Sequence, residues 1–246
     1  MAEAPPEHPG DDLDDTVRRA DPDRWLASRF IADPQARADV IALYAFEHVL
    51  ARVPAMVSEP LMGEIRLTWW REALDEIYAG GAVRSHPVSL ALAEAVGRRG
   101  LNRAPLDEMI AARFGDLDAA PFANEADVLA YADQTAGALM QVSAQALGAP
   151  AGFEPARLAG RAYGLSQMAR RRAIGGRTRL PDRLARDQLR TLIAAALREA
   201  RAPLKTAPLA AFPATAYACL AGCNPRRMTM LEKQLRLIWT TATGSI

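Results

Sequence analysis

The pentapeptide "DDLDD" at 11–15 is the first place in this chain where residue type and spacing could do chemistry. Asp11, Asp12 and Asp15 offer hard carboxylate oxygens, the ligands that Mg²⁺ prefers. A second candidate is the arginine run 170–172, whose Arg171 shares a helical ridge with Gly160, Gly164 and Gln167. Arginine binds phosphate through charge-assisted, often bidentate hydrogen bonds, with no need of a metal. Glu47 and His48 have the residue types for acid–base work. Neighbours on a helix point about 100° apart, however, so the two do not face one another.

A metal box needs rigid neighbours that make its carboxylates converge. Residues 1–20 hold Pro5, Pro6, Pro9, Gly10 and the acidic cluster, with few apolar side chains. Such a stretch cannot offset its chain entropy by burial and reads as a disordered acidic tail before one domain over 21–246. Asp11–Asp15 is then a solvated charge run. The charge is uneven: residues 1–23 carry eight acids against two arginines, and residues 157–201 carry twelve arginines against three acids.

The 246 residues are half apolar and carry a formal charge of +1, which fits a globular chain with a substantial core and gives no bulk attraction for nucleic acid. No apolar run reaches the roughly 20 residues of a membrane span. The acidic start lacks the basic and apolar regions of a secretory signal, so a cytoplasmic location is expected. Cys219 and Cys223, four apart, make neither a disulfide framework nor a zinc box.

The elements that must position these groups read as helices throughout. Val40, Leu43, Phe46, Leu50 and Val53 form a helical stripe that Pro54 ends or kinks. A second helix runs from an N-cap at Ser58 to Gly80, with Leu61, Ile65, Trp69, Ala73 and Ile77 as its stripe. Further helices are expected around 88–98, 105–116, 124–147, 154–172, 186–201, 209–222 and 225–240. No run of period-two alternation appears, so the fold class is all-α.

Seven stretches, "DRWLASRF", "LYAF", "GEIRLTWWREALDEIYAG", "HPVSLAL", "RFGDLD", "YADQTAGALM" and "GRTRLP", resemble the squalene/phytoene synthase family in the family's order. The resemblance implies a single-domain, isoprenoid-synthase-like helical bundle around a central cavity. Active members join two prenyl diphosphates head to head, using Mg²⁺ held by two aspartate-rich motifs. In the first motif the matching positions here read His48, Ala51, Arg52 and Ala55. In the second they read Gly164, Gln167, Arg170 and Arg171. Metal ligands are therefore missing at both, and no catalytic residue, metal site or cofactor is assigned. Trp25, Tyr44 and Trp69 are expected to line the cavity.

"AFEHVLARVPAMVSEPLMGEIRLTWWREALDEIY" and "SQMARRRAIGGRTRLP" resemble the family's non-catalytic branch, which includes a mitochondrial assembly factor for respiratory complex I. That resemblance implies a pseudoenzyme that assists complex I assembly and binds a lipid or isoprenoid. Its partner is a complex I subunit or assembly intermediate, and its place is the cytoplasm or the periphery of the inner membrane. The alternative is a head-to-head prenyltransferase with atypical Mg²⁺ binding through Asp11–Asp15 or Asp116–Asp118.

Overall fold

The computed structural model describes residues 13–118, 120–176, 178–222, 228–243 and 246. Among these residues twelve α-helices follow one another: α1 (Leu13–Ala20), α2 (Pro22–Ser28), α3 (Pro34–Met56), α4 (Pro60–Ala79), α5 (Pro87–Arg99), α6 (Ala104–Leu117), α7 (Glu125–Ala132), α8 (Ala138–Ala146), α9 (Glu154–Ala173), α10 (Arg186–Leu204), α11 (Phe212–Ala216) and α12 (Met230–Thr243). No strand occurs among the described residues.

Local chemistry explains most boundaries. α2, α3, α4 and α5 open on Pro22, Pro34, Pro60 and Pro87, where a missing N–H costs nothing and φ is already helical. Asp21, Asp33, His86 and Asn124 cap α2, α3, α5 and α7 through side-chain acceptors. Gly80 ends α4 with a left-handed φ of 70°, which a residue without Cβ adopts freely.

α3 is the central helix and packs against α1, α5, α6 and α8. Leu43, Phe46 and Leu50 on it are fully buried. Each such side chain contributes about 1.5–3 kcal/mol relative to exposure. A smaller core between α7, α9 and α10 holds Val128, Leu165, Leu189 and Ile193.

Several expectations are corrected. Residues 13–20 are not a disordered tail: α1 buries Val17, and Asp14 accepts from Trp25 Nε1 at 2.9 Å and from Arg37. Residues 1–12, with Asp11 and Asp12, lie outside the described residues, as does Cys223. The N-cap of α4 is Glu59, not Ser58. Its buried face is Leu67, Trp70, Leu74 and Ile77, which leaves Leu61 and Ile65 exposed. Pro54 lies inside the last turn of α3, two residues before Met56, and does not itself stop the helix. The expected helix over 209–222 breaks into α11 between two 3₁₀ turns, Leu209–Ala211 and Tyr217–Leu220.

The expected helix over 124–147 is interrupted by a π-turn at Asp133–Gly137. Gly160 of α9 sits against it so closely that a Cβ there would lie 2.4 Å from the Ala136 carbonyl oxygen. Arg161 clamps the turn with two 2.7 Å bonds to Asp133. Glycine spacing on α9 therefore serves close packing.

Candidate functional site

A cavity of about 330 Å³ lies between α2, α3, α9 and α12, with contributions from α6 and the π-turn. Five cationic side chains face it, Arg24, Arg113, Arg170, Arg171 and Lys233, against three carboxylates, Asp21, Asp23 and Glu47. The lining thus has an excess of positive charge. Apolar atoms of Val17, Ala51, Ala136 and Met168 fill the intervals.

The α3 wall is an ion-pair lattice. Glu47 accepts from Arg24 Nη1 at 3.1 Å on one oxygen and from Arg113 Nη2 at 2.7 Å on the other. Arg113 Nη1 also donates to Tyr131 Oη at 2.6 Å and to Asp116 at 3.1 Å, and Arg179 reaches the second Asp116 oxygen. Arg24 lies over the rings of Tyr44, Tyr163 and Tyr217. Burial alone pushes the Glu47 carboxyl up, but the two guanidinium groups outweigh it and hold Glu47 below its ordinary value. For Asp21 burial wins and the carboxyl is raised, even though Arg24 and the Tyr163 hydroxyl face it. Burial also pushes the Tyr217 phenol up to about 12.

The α9 wall is looser. The nearest carboxylate to Arg170 is Asp23, at 3.5 Å, and Asp23 is already held at 2.6 Å by Lys233 of α12. Nε and Nη2 of Arg170 are buried with no hydrogen-bond partner among the described residues. Gln167 donates to Tyr163 Oη at 2.6 Å and Tyr163 donates to Asp21, while Gly164 packs so closely on Ala136 that a Cβ there would lie 2.9 Å from the alanine's own.

Of the residues singled out from the sequence, His48 and Ala51 on α3 and Gly164, Gln167, Arg170 and Arg171 on α9 all face the cavity. Arg52 is exposed, and neither it nor Ala55 belongs to the lining. Tyr44 lines the cavity, but Trp25 and Trp69 do not, which corrects that expectation. Trp25 turns its indole to Asp14. Trp69 stacks edge-on against Trp70 and His86 beneath Arg84. Asp116 is engaged by Arg113, Tyr131 and Arg179, which leaves no oxygen of it facing the cavity alone. Sequence reasoning missed Arg24, Arg113, Asp21, Asp23 and Lys233, whose meeting depends on long-range packing. "RFGDLD" held one clue, because Arg113 and Asp116 are three apart on a helix.

A magnesium–diphosphate centre, as the family resemblance implies, requires convergent carboxylates on α3 and α9. Here His48, Ala51, Gln167, Arg170 and Arg171 face the cavity at those positions, and Asp21, Asp23 and Glu47 are each paired with arginine or lysine. That set does not suit a divalent cation, whose charge the guanidinium groups would oppose. Among the described residues no group of three or more histidine, cysteine or acidic side chains could hold a metal. What the arrangement can do is hold an anion directly.

Comparison with known proteins gives three results. NADH dehydrogenase (ubiquinone) complex I, assembly factor 6, of Bos taurus and of Homo sapiens are each 30% identical over 132 residues, 54% of this chain and 39% of theirs. The Dictyostelium discoideum homolog is 26% identical over 133 residues, covering 54% of this chain and 37% of its own. The match thus spans well under half the length of these relatives. The fold is that of a dehydrosqualene synthase solved with ligand (TM-score 0.72, 16% identity, 94% of each chain). A squalene synthase from Alicyclobacillus acidocaldarius gives a TM-score of 0.68 at 15% identity, covering 94% of this chain and 93% of that one. The model of the squalene/phytoene synthase family matches residues 17–174, more than half of the sequence, and the chain belongs to that family.

Proposed function

We propose that this protein is a catalytically inactive member of its family that serves the assembly of respiratory complex I at the inner-membrane surface. Its cavity then holds an anionic lipid or isoprenoid headgroup without metal. The observation that carries this reading is the pair of walls just described. Arginine, histidine and alanine stand where the chemistry of diphosphate departure needs metal-holding carboxylates, and the cavity itself persists. Without a cation bridging the leaving diphosphate, the usual stabilisation of its developing charge is missing. The relatives named as complex I assembly factor 6 support the assembly role.

Deletion of the gene is expected to lower assembled complex I and its NADH dehydrogenase activity, with carotenoid, squalene and hopanoid content unchanged. Normal complex I in the deletion strain overturns the assembly role. For the prenyltransferase alternative, purified protein is incubated with Mg²⁺ and farnesyl or geranylgeranyl diphosphate. Pyrophosphate release that disappears on replacing the aspartates of 11–15 or of 116–118 would establish that alternative instead.

A further inference from the structure

α12 carries its apolar residues on the side that a bundle helix normally gives to polar ones. Its inner face is Lys233, which reaches Asp23, with Leu237 and Thr240 buried. Leu231, Leu235, Ile238 and Trp239, at steps of four, three and one, all stand in solvent, Leu231 at 63% and Trp239 at 71% exposure. Exposed apolar stripes of this kind mark contact surfaces.

α10, whose Arg201 meets the chain beyond the end of α12, supplies charge. Arg186, Arg190, Arg198, Arg201 and Lys205 are exposed, and at about 100° per residue they fall within one third of the circumference of α10 and its first following residue. Asp187, on the same arc, is offset by Arg190 at 3.1 Å. Arg201 Nε donates to the Ile246 carbonyl oxygen at 2.7 Å, which ties the chain beyond the end of α12 to the basic helix.

We propose that the outer stripe of α12 and the basic face of α10 together form a docking surface for an anionic lipid bilayer. A bilayer surface satisfies both halves at once: the acyl boundary takes Leu231, Leu235, Ile238 and Trp239, and the phosphates take the arginines. Tryptophan is the side chain most at home at that depth. A second copy fits worse. Two-fold pairing across the stripe brings two arginine-rich faces together, and four side chains on one helix fall short of the roughly 800 Å² per partner of a stable interface. Residues 1–12 contain no Leu, Ile, Val, Phe, Tyr or Trp to fill the stripe. Since Lys233 on the inner side of the same helix faces the cavity, docking sets the cavity beside the lipid surface. The proposal deepens the inner-membrane reading above and rests on it.

The test is co-sedimentation of the full chain with vesicles of phosphatidylcholine alone or mixed with phosphatidylglycerol. The chain is expected to pellet with the mixed vesicles and not with the neutral ones. The pairs Leu235→Gln/Trp239→Ser and Arg190→Gln/Arg198→Gln each lower binding about tenfold, with unchanged thermal midpoints because these side chains are exposed. Wild-type protein left in the supernatant, or variants that bind as well, overturns the proposal. So does a solution dimer that Leu235→Gln/Trp239→Ser dissociates, which assigns the stripe to a second copy. Complementation of the deletion strain separates the two levels. Restored complex I with no vesicle binding overturns the docking surface alone. Vesicle binding by a chain whose deletion leaves complex I intact overturns the assembly role alone.

Discussion

The two walls of the cavity solve the same problem differently. On α3, Glu47 sits between two buried guanidinium groups, each within 3.1 Å, and Arg113 spends its other Nη on Asp116 and Tyr131. On α9, Arg170 has one carboxylate at 3.5 Å, shared with Lys233, and two buried nitrogens without a partner. A buried charge is costly unless paired and hydrogen-bonded. The α3 wall meets most of that condition within the protein, since both of its arginines bond Glu47 through an Nη and each leaves a buried Nε without a hydrogen bond among the described residues. The α9 wall leaves part of it open, and an anionic guest would complete it. The first wall is therefore structural and the second receptive.

The largest expected effect breaks the structural wall. Glu47→Gln leaves Arg24 and Arg113 without their shared counter-charge, and removing one partner of a buried ionic network costs about 3–5 kcal/mol. Denaturant unfolding should show that loss. A change below about 1 kcal/mol would mean that Asp21 and Asp116 suffice for the two arginines. Gly160→Ala comes next. Its Cβ would meet the Ala136 carbonyl oxygen at 2.4 Å and Gly137 Cα at 2.8 Å, so α9 and the π-turn must separate. Overpacking of this kind costs about 1–3 kcal/mol. Because it shifts the α9 wall as a body, it should also weaken anion binding, whereas Gly97→Ala, with nothing within 4 Å, serves as the neutral control.

Much of this frame was legible in the sequence. Proline and cap residues set helix starts locally, and the α3 stripe obeys helical periodicity, so Val40 through Val53 are buried as spaced. α4 departs from its expected stripe because Leu61 and Ile65 continue the period of Ala73 and Ile77 yet stand exposed. Periodicity finds a stripe but cannot say how far a neighbouring helix covers it. The cavity shows the same limit. On α3 the lining face is Tyr44, Glu47, His48 and Ala51, so the stretch carrying Arg52 and Ala55 has already passed the cavity's edge. Arg24, Arg113 and Lys233 come from three helices far apart in the chain, and no local pattern announces their convergence.

A smaller effect sharpens the receptive wall. Arg170→Gln removes a cation whose Nε and Nη2 lack partners, so stability should change by less than about 1 kcal/mol. Affinity for inorganic pyrophosphate or a phosphorylated isoprenoid, measured by calorimetry without added metal, should fall about tenfold, the share of one charge-assisted contact. Equal loss of stability in Arg170→Gln and Glu47→Gln would erase the distinction between the walls.

The subtlest contrast lies between two carboxylates that share Arg24. Glu47 has a lowered pKa, so its contribution is full above its ordinary value of 4.5 and disappears as pH falls through the depressed one. Asp21 has a raised pKa. Its favourable contribution is present below its ordinary 3.8 and lost as pH rises through the raised value, so at neutral pH its charge is a cost. Asp21→Asn removes that cost while keeping a side-chain acceptor for the α2 cap, and should destabilise less at pH 7 than Glu47→Gln. As both carboxyls become protonated in acid, each variant approaches the wild type and the gap between the two should close. Chemical denaturation of the pair from neutral pH to well below 4.5, where Glu47 itself protonates, reads that convergence directly. A gap of constant size across the range would assign the difference to packing and hydrogen bonding, and would remove electrostatics as the reason the α3 wall holds together.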